Sequence, residues 1–246
     1  MAVRIFDNRE TLSRAAADYI SQIAEASVAQ RGWFHLALSG GGTPRRTYEL
    51  LAGPPYAERV AWAKVHVYWS DERCVPPGDP ESNYRMAREA LLERVWRAMP
   101  IPAEQIHRLP GDAEDPDAAA RDYEALLPAN LDLVMLGVGP EGHTASLFPG
   151  SPALREKQRR VVAVRVSPPP VVGEGRVGGT PPCRLTFTPV TIEAARNLLV
   201  LVAGEDKADA VARALQGRGA IEETPAQIAR RGLWLLDRSA AGRLRL

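Results

Sequence analysis

The sequence predicts an α/β protein built on a parallel sheet with helices on both faces, and three observations carry that reading. Apolar runs of strand length recur along the chain, among them FHLALS at 34–39, VHVYW at 65–69, LDLVML at 131–136, VVAVRV at 161–166 and LWLLD at 233–237. Between them lie segments whose apolar residues fall at helical spacing, the alternation expected of strands joined by helical crossovers. The runs are close to continuous rather than alternating, which is how strands covered on both faces read.

Each element has its own local signal. A short strand at VRIF is followed by a helix over 8–31, with Leu12, Ala16, Tyr19 and Ile23 at helical spacing and Gly32 as its stop. FHLALS runs into GGGTPRRTYELL, where Thr43 is placed to cap a helix and Pro44 to fill its first turn. VHVYW delivers SDER to its carboxyl end. Ser82 caps the next helix, whose buried face is Tyr84, Ala87, Leu91 and Val95, and Asn83 is either a second cap or a ligand contact. IHRL at 106–109 reads as a short strand and DPDAAARDYEALL as a helix. A helical turn is expected after His143.

The remaining third repeats the pattern. RLTFT at 184–188 resumes the same alternation, Thr188 and Pro189 open a helix, and NLLVLVAGEDKADAVARALQG gives strand, glycine turn and helix, with Ala208, Val211, Ala212 and Leu215 as its buried stripe. PAQIARR reads as a final helix before LWLLD. The stretch 167–182, SPPPVVGEGRVGGTPP, is rich in proline and glycine and is expected to be a mobile loop within one domain covering 1–246.

Composition narrows the function. With 246 residues, 45% hydrophobic, 25% charged and a net charge of +1, the chain has no global field to draw nucleic acid or an acidic membrane. No run approaches the ~20 apolar residues of a membrane span, and MAVRIFDNRETL lacks the apolar segment of a signal peptide, so a cytoplasmic location is expected. Cys74 and Cys183 show no metal-ligand spacing and are expected to stay reduced as packing residues.

The chemistry is concentrated where strands end. LDLVML gives way to GVGPEGHT, in which glycines allow a tight turn and Glu141 and His143 bring two titratable groups close together. The same loop spells G-x-G-x-x-G, yet the next strand, VVAVRV, ends in Ser167 and prolines, with no carboxylate to hold a ribose; a nicotinamide or flavin site is therefore not expected. The strand, glycine loop and helix start at 40–43 form an anion-binding arrangement through free backbone N–H groups and the helix dipole. In a parallel sheet with right-handed crossovers, the loop at Gly40 to Thr43, Asp71 with Arg73, His143 and Lys207 emerge on one edge and can converge. Arg184 opens a strand, and topology alone does not place it. Such a set would bind phosphate through lysine, arginine and backbone N–H groups, and activate water through histidine.

At the level of whole blocks the chain resembles the 6-phosphogluconolactonases. The resemblance rests on SGGGTP at 39–44, SDERCVPPGDPESN at 70–83, LGVGPEGHTASLFP at 136–149, RLTFTP at 184–189 and VAGEDKADA at 202–210, in the family's order. It implies a Rossmann-like, sugar-phosphate isomerase-like sheet. It also implies hydrolysis of 6-phospho-D-glucono-1,5-lactone in the oxidative pentose phosphate pathway, with no cofactor. By that resemblance His143 is the general base and Asp71 and Arg73 shape the catalytic site. Asn83 contacts sugar hydroxyls, and Arg184 and Lys207, with the backbone of Gly41, Gly42 and Thr43, hold the phosphate. The family block reads DGH where this chain has Glu141, so Glu141 is kept out of the catalytic set. No metal is expected, because the four histidines, His35, His66, His107 and His143, sit in separate segments without ligand spacing. The expected partner is the phosphorylated sugar lactone, with no nucleic acid and no membrane, for a monomer or small homo-oligomer. The alternatives are a glucosamine-6-phosphate deaminase and, from a different class, a non-catalytic sugar-phosphate sensor.

Overall fold

The structure is a computed structural model that describes residues 2–96, 100–165 and 183–245. Nine strands are seen among them: β1 (Ala2–Phe6), β2 (Phe34–Leu38), β3 (Val65–Trp69), β4 (Asp71–Arg73), β5 (Leu133–Leu136), β6 (Val161–Arg165), β7 (Cys183–Phe187), β8 (Asn197–Val202) and β9 (Leu233–Asp237). The helices are α1 (Arg9–Arg31), α2 (Gly42–Leu51), α3 (Tyr56–Arg59), α4 (Asn83–Ala87), α5 (Glu93–Trp96), α6 (Pro116–Leu126), α7 (Pro189–Ala194) and α8 (Ala208–Gln216). A π-helical turn, Arg88–Leu92, joins α4 to α5.

Six strands form a sheet in the order β1-β9-β8-β5-β2-β3, with every pairing parallel. Leu133, Val134, Met135 and Leu136 of β5 are all fully buried. Successive strand residues point to opposite faces, so both faces of the sheet are covered at its centre. Each such apolar side chain contributes about 1.5 to 3 kcal/mol by leaving water. The order reverses between β5 and β2, and in open α/β sheets ligands bind at that switch point, beyond the carboxyl ends of the strands.

The sheet expected to hold every strand does not hold three of them. β4, β7 and β6 form a separate antiparallel sheet in the order β4-β7-β6, so VVAVRV and RLTFT do not continue the parallel alternation. Ser70 is where the chain crosses over: its N–H donates to Leu38 O of β2, and its carbonyl accepts from Phe187 N of β7. Three residues are too few to announce a strand by periodicity, and β6 and β7 carry no signal that separates an antiparallel partner from a parallel one.

Several boundaries also differ. Thr43 does not cap α2; the N-cap is Gly41, two residues earlier, whose φ of 100° sets the entry, and Thr43 lies inside the first turn. Thr188 stands at the N-cap of α7, but its hydroxyl donates to Arg159 O at 2.6 Å instead of capping. Ser82 does cap α4, accepting from Arg85 N at 3.1 Å. After His143 there is no helical turn: Thr144 bridges Leu147 and Ala145 takes φ 48°. IHRL contributes only an isolated bridge from Ile106 to Val67, and PAQIARR gives a 3₁₀ turn at Pro225–Ala229. On α8 the buried stripe is Ala208, Ala210, Val211, Ala214 and Leu215, with Ala212 half-buried. The stretch 167–182, expected to be a mobile loop, lies outside the described residues.

Candidate active site

The carboxyl ends of β2, β3 and β5 surround a cavity of about 250 Å³ lined by Asp71, Arg73, Asn83, His143, Arg184 and Lys207, among others. A second space of about 420 Å³ shares Gly40, Gly41, Gly137, Val138 and Lys207 with it and adds Gly42 and Thr43. All nine residues singled out from the sequence therefore line one continuous cleft. Arg184, which topology alone could not place, arrives there because the antiparallel sheet carries β7 alongside β4.

The β5 loop presents His143. Gly139 N–H donates to His143 O at 3.0 Å, and Gly142 N–H to Gly139 O at 2.9 Å, closing the loop on itself. The imidazole lies against the backbone of Gly139 so closely that a Cβ there would meet the ring at 2.1 Å. Only glycine allows that approach. The ring also packs on Phe148, centroids 4.6 Å apart, and the Arg184 guanidinium sits 5.5 Å from the same Phe148 ring.

Glu141 reaches the imidazole in spite of its extra methylene. Its Oε1 is 3.0 Å from His143 Nδ1, off the line of a well-formed N–H bond, so that Nδ1 has an ion-pair neighbour but no strict hydrogen-bond partner. The contact with His143 holds the Glu141 carboxyl down at about 2, against the opposing effect of burial, with Lys207 adding a smaller pull in the same direction. The sequence reading withholds a role from this residue. The geometry puts it beside the histidine.

Asp71 is buried and held from two sides. Ser146 Oγ donates to its Oδ2 at 2.7 Å, and Asn83 Nδ2 donates to its carbonyl at 2.9 Å and, more weakly, to its Oδ1 at 3.3 Å. Ser146 is itself fixed, its N–H donating to Thr186 Oγ1 on β7. Asn83 in turn presses on the glycine loop: a Cβ at Gly40 would meet Asn83 Oδ1 at 1.9 Å. Asn83 thus stands at the first position of α4 and walls the cavity; its side chain donates to Asp71 and does not cap the helix, a role that Ser82 fills.

Glu72, the middle of the DER triplet, faces away from the cavity and secures α4. It accepts from Arg73 N, Ser82 Oγ, Asn83 N and Tyr84 N at 2.8 to 3.0 Å. Burial pushes its carboxyl up, and these four bonds pull it back. A carboxylate at a helix start satisfies N–H groups that have no intrahelical partner. Sequence reasoning missed this role, and it missed Ser146. The signals were present in the acid ten residues ahead of a Ser-Asn cap and in the serine of SLFP.

Arg73 donates to Glu81 O at 2.5 Å, and its Nε has no partner. Arg184 is 8% exposed, and its Nε is likewise unpartnered. Burial, then the neighbouring Arg73 charge, pushes the Arg184 guanidinium down. Lys207 pairs with Asp206 at the edge of the cleft. Three cations, two of them with an unpartnered Nε, thus surround one space that glycine residues also line, an arrangement suited to an anion.

Three of the four histidines converge elsewhere, which their separate segments did not suggest. His35 and His66 stack at 4.9 Å, His66 Nδ1 lies 3.0 Å from His107 Nε2, and Tyr68 stacks on His107 at 4.5 Å. They stand near the amino ends of β2 and β3, opposite the cleft. Among the described residues no group of three or more His, Cys, Asp or Glu could hold a metal ion, and no helix is long and apolar enough to cross a membrane.

A parallel sheet with a histidine and a cluster of cations at its carboxyl edge is the arrangement of an α/β enzyme for a small anionic ligand. Comparison with known proteins gives the family. Residues 7–235 match the model of the glucosamine-6-phosphate isomerases/6-phosphogluconolactonase family, and the chain belongs to it. It is 40% identical over 258 residues to a 6-phosphogluconolactonase of Mycobacterium tuberculosis, covering 99% of this chain and 98% of that one. Its structure is similar to that of 6-phosphogluconolactonase from Trypanosoma brucei, with 30% identity, 99% and 98% coverage and a TM-score of 0.79. A monomeric glucosamine-6-phosphate deaminase shares the fold at 24% identity, with 99% and 100% coverage and a TM-score of 0.80.

Proposed function

We propose that the chain hydrolyses 6-phospho-D-glucono-1,5-lactone to 6-phospho-D-gluconate, with His143 activating the attacking water. The observation that carries this reading is the placement of His143 in the same cavity as Arg73, Arg184 and Lys207. Arg184, Lys207 and the N–H groups of Gly41, Gly42 and Thr43 hold the phosphate, and Asn83 with Asp71 faces the sugar. With Nδ1 turned to Glu141, the imidazole has Nε2 free to take a proton from water as its oxygen bonds to the lactone carbonyl carbon. Glu141 steadies the imidazolium that results. The proton then passes to the ring oxygen as its bond to that carbon breaks, opening the lactone and restoring the neutral imidazole. The step needs no redox cofactor, because no electrons leave the substrate.

The deaminase alternative needs a carboxylate base to move a proton from sugar carbon. Asp71 is the available acid, and its oxygens are already engaged by Ser146 and Asn83. That favours the lactonase. All of the proposed site residues come from one chain and one domain, and the reading is of a cytoplasmic monomer or small homo-oligomer that needs neither nucleic acid nor membrane. The test is a substrate panel with purified protein: freshly made 6-phosphogluconolactone, unphosphorylated gluconolactone and glucosamine 6-phosphate, corrected for spontaneous lactone opening. Fast opening of the phosphorylated lactone without ammonia release supports the reading. Ammonia release from glucosamine 6-phosphate as the faster reaction sinks it.

A further inference from the structure

Cys74 and Cys183 are the chain's only cysteines, and the fold brings them face to face. The β4–β7 register pairs Asp71 with Thr186, Glu72 with Leu185 and Arg73 with Arg184. Continued by one residue it sets Cys74 opposite Cys183, and Cys74 N–H does donate to Cys183 O at 3.0 Å. Directly opposed residues at a hydrogen-bonded antiparallel position have Cα atoms about 5.5 Å apart, inside the range a disulfide spans. A slip of one residue would put the side chains on opposite faces. The expectation that both cysteines simply pack does not account for this pairing.

We propose that Cys74 and Cys183 are a dithiol that closes to an intramolecular disulfide on meeting a small-molecule disulfide such as oxidised glutathione, clamping β4 to β7 one residue from Arg73 and Arg184. Cys183 attacks first. It is the register partner of Arg165 on β6, so a cation stands on its strand neighbour at the directly opposed position. Burial, the adjoining Cys183 and the Glu72 charge all push the Cys74 thiol up. The Cys183 thiolate bonds to one glutathione sulfur and expels the other as thiolate. Cys74, giving up its proton, then bonds to the Cys183 sulfur and expels the second glutathione. The protein loses two electrons and two protons, and one glutathione disulfide becomes two glutathione thiols. The proposal does not depend on the reaction assigned to the cleft.

The test treats the folded, full-length protein with oxidised glutathione, then counts thiols after denaturation and records intact mass. The expected product has the mass of a single chain less two hydrogens, has no free thiol and yields a peptide linking Cys74 to Cys183; dithiothreitol reverses it. Closing so long a loop raises the melting midpoint by at least about 4 °C. Cys74→Ser stops at a stable glutathione adduct on Cys183. Two thiols surviving in the folded protein under conditions that oxidise the unfolded chain would overturn the proposal. So would an interchain disulfide or an unchanged melting midpoint of the oxidised form.

Discussion

Arg73 and Arg184 stand directly opposite each other across the antiparallel β4–β7 pair, with both side chains on the face that lines the cleft. Like charges in that relationship oppose folding, and each guanidinium keeps an unpartnered Nε. An anion between them would relieve that repulsion, which is the role the proposed phosphate plays. Arg184→Ala and Lys207→Ala should each lower kcat/KM for the phosphorylated lactone by ~10- to 100-fold, on charge-assisted bonds of about 1.5 to 3 kcal/mol. Unphosphorylated gluconolactone has nothing there to lose and should be affected far less. Steady-state kinetics on both substrates decide it, and equal losses would make the two residues structural.

The contact between Gly139 and His143 makes a second, geometric prediction. A methyl group at Gly139 must displace the imidazole, since its Cβ would meet the ring at 2.1 Å. Gly139→Ala should lower kcat by at least about 10-fold, because a general base works only within hydrogen-bond reach of its proton. Circular dichroism should show the fold retained. Full activity in this variant would mean that the ring moves freely without consequence.

Much of this site was legible in the sequence because it sits at the carboxyl ends of β2, β3 and β5, where the parallel-sheet rule gathers functional loops regardless of their spacing in the chain. His143 and the glycine loop could be read that way. Arg184 could not, since nothing in RLTFT tells an antiparallel strand from a parallel one. Glu141 was hidden for a different reason: one methylene decides its reach, and side-chain torsions rather than sequence settle where that carboxylate goes. The histidine stack was invisible because register pairs His35 with His66, and register is a property of the sheet.

That stack should make stability fall in mild acid. Burial holds His35, His66 and His107 below the ordinary 6.5, His107 down to about 4 with the help of the other two rings. Asp132 opposes this at His35 and Glu104 at His66, while Arg31 adds to it at His35. The unfolded chain therefore binds protons that the folded chain resists, so stability is lost as pH falls from about 6.5 toward 4. Melting midpoints across that range should drop for the parent protein and drop less for His107→Gln. Parallel curves would remove the stack from the acid response.

Glu141 should act through the imidazole. Its carboxyl, held at about 2, stays ionised wherever the protein works. Glu141→Gln keeps the size and removes the charge that stabilises imidazolium, so kcat should fall by about 10-fold with little change in KM. A change in KM alone would assign Glu141 to binding.

The most direct measurement is the rate at which His143→Ala opens 6-phosphogluconolactone, corrected for spontaneous hydrolysis and set beside the parent protein at the same pH. A folded variant should lose ~10²-fold or more in kcat, the scale of a positioned general base, while still binding 6-phosphogluconate through Arg184 and Lys207. Turnover equal to the parent in a folded His143→Ala protein would contradict histidine-activated hydrolysis.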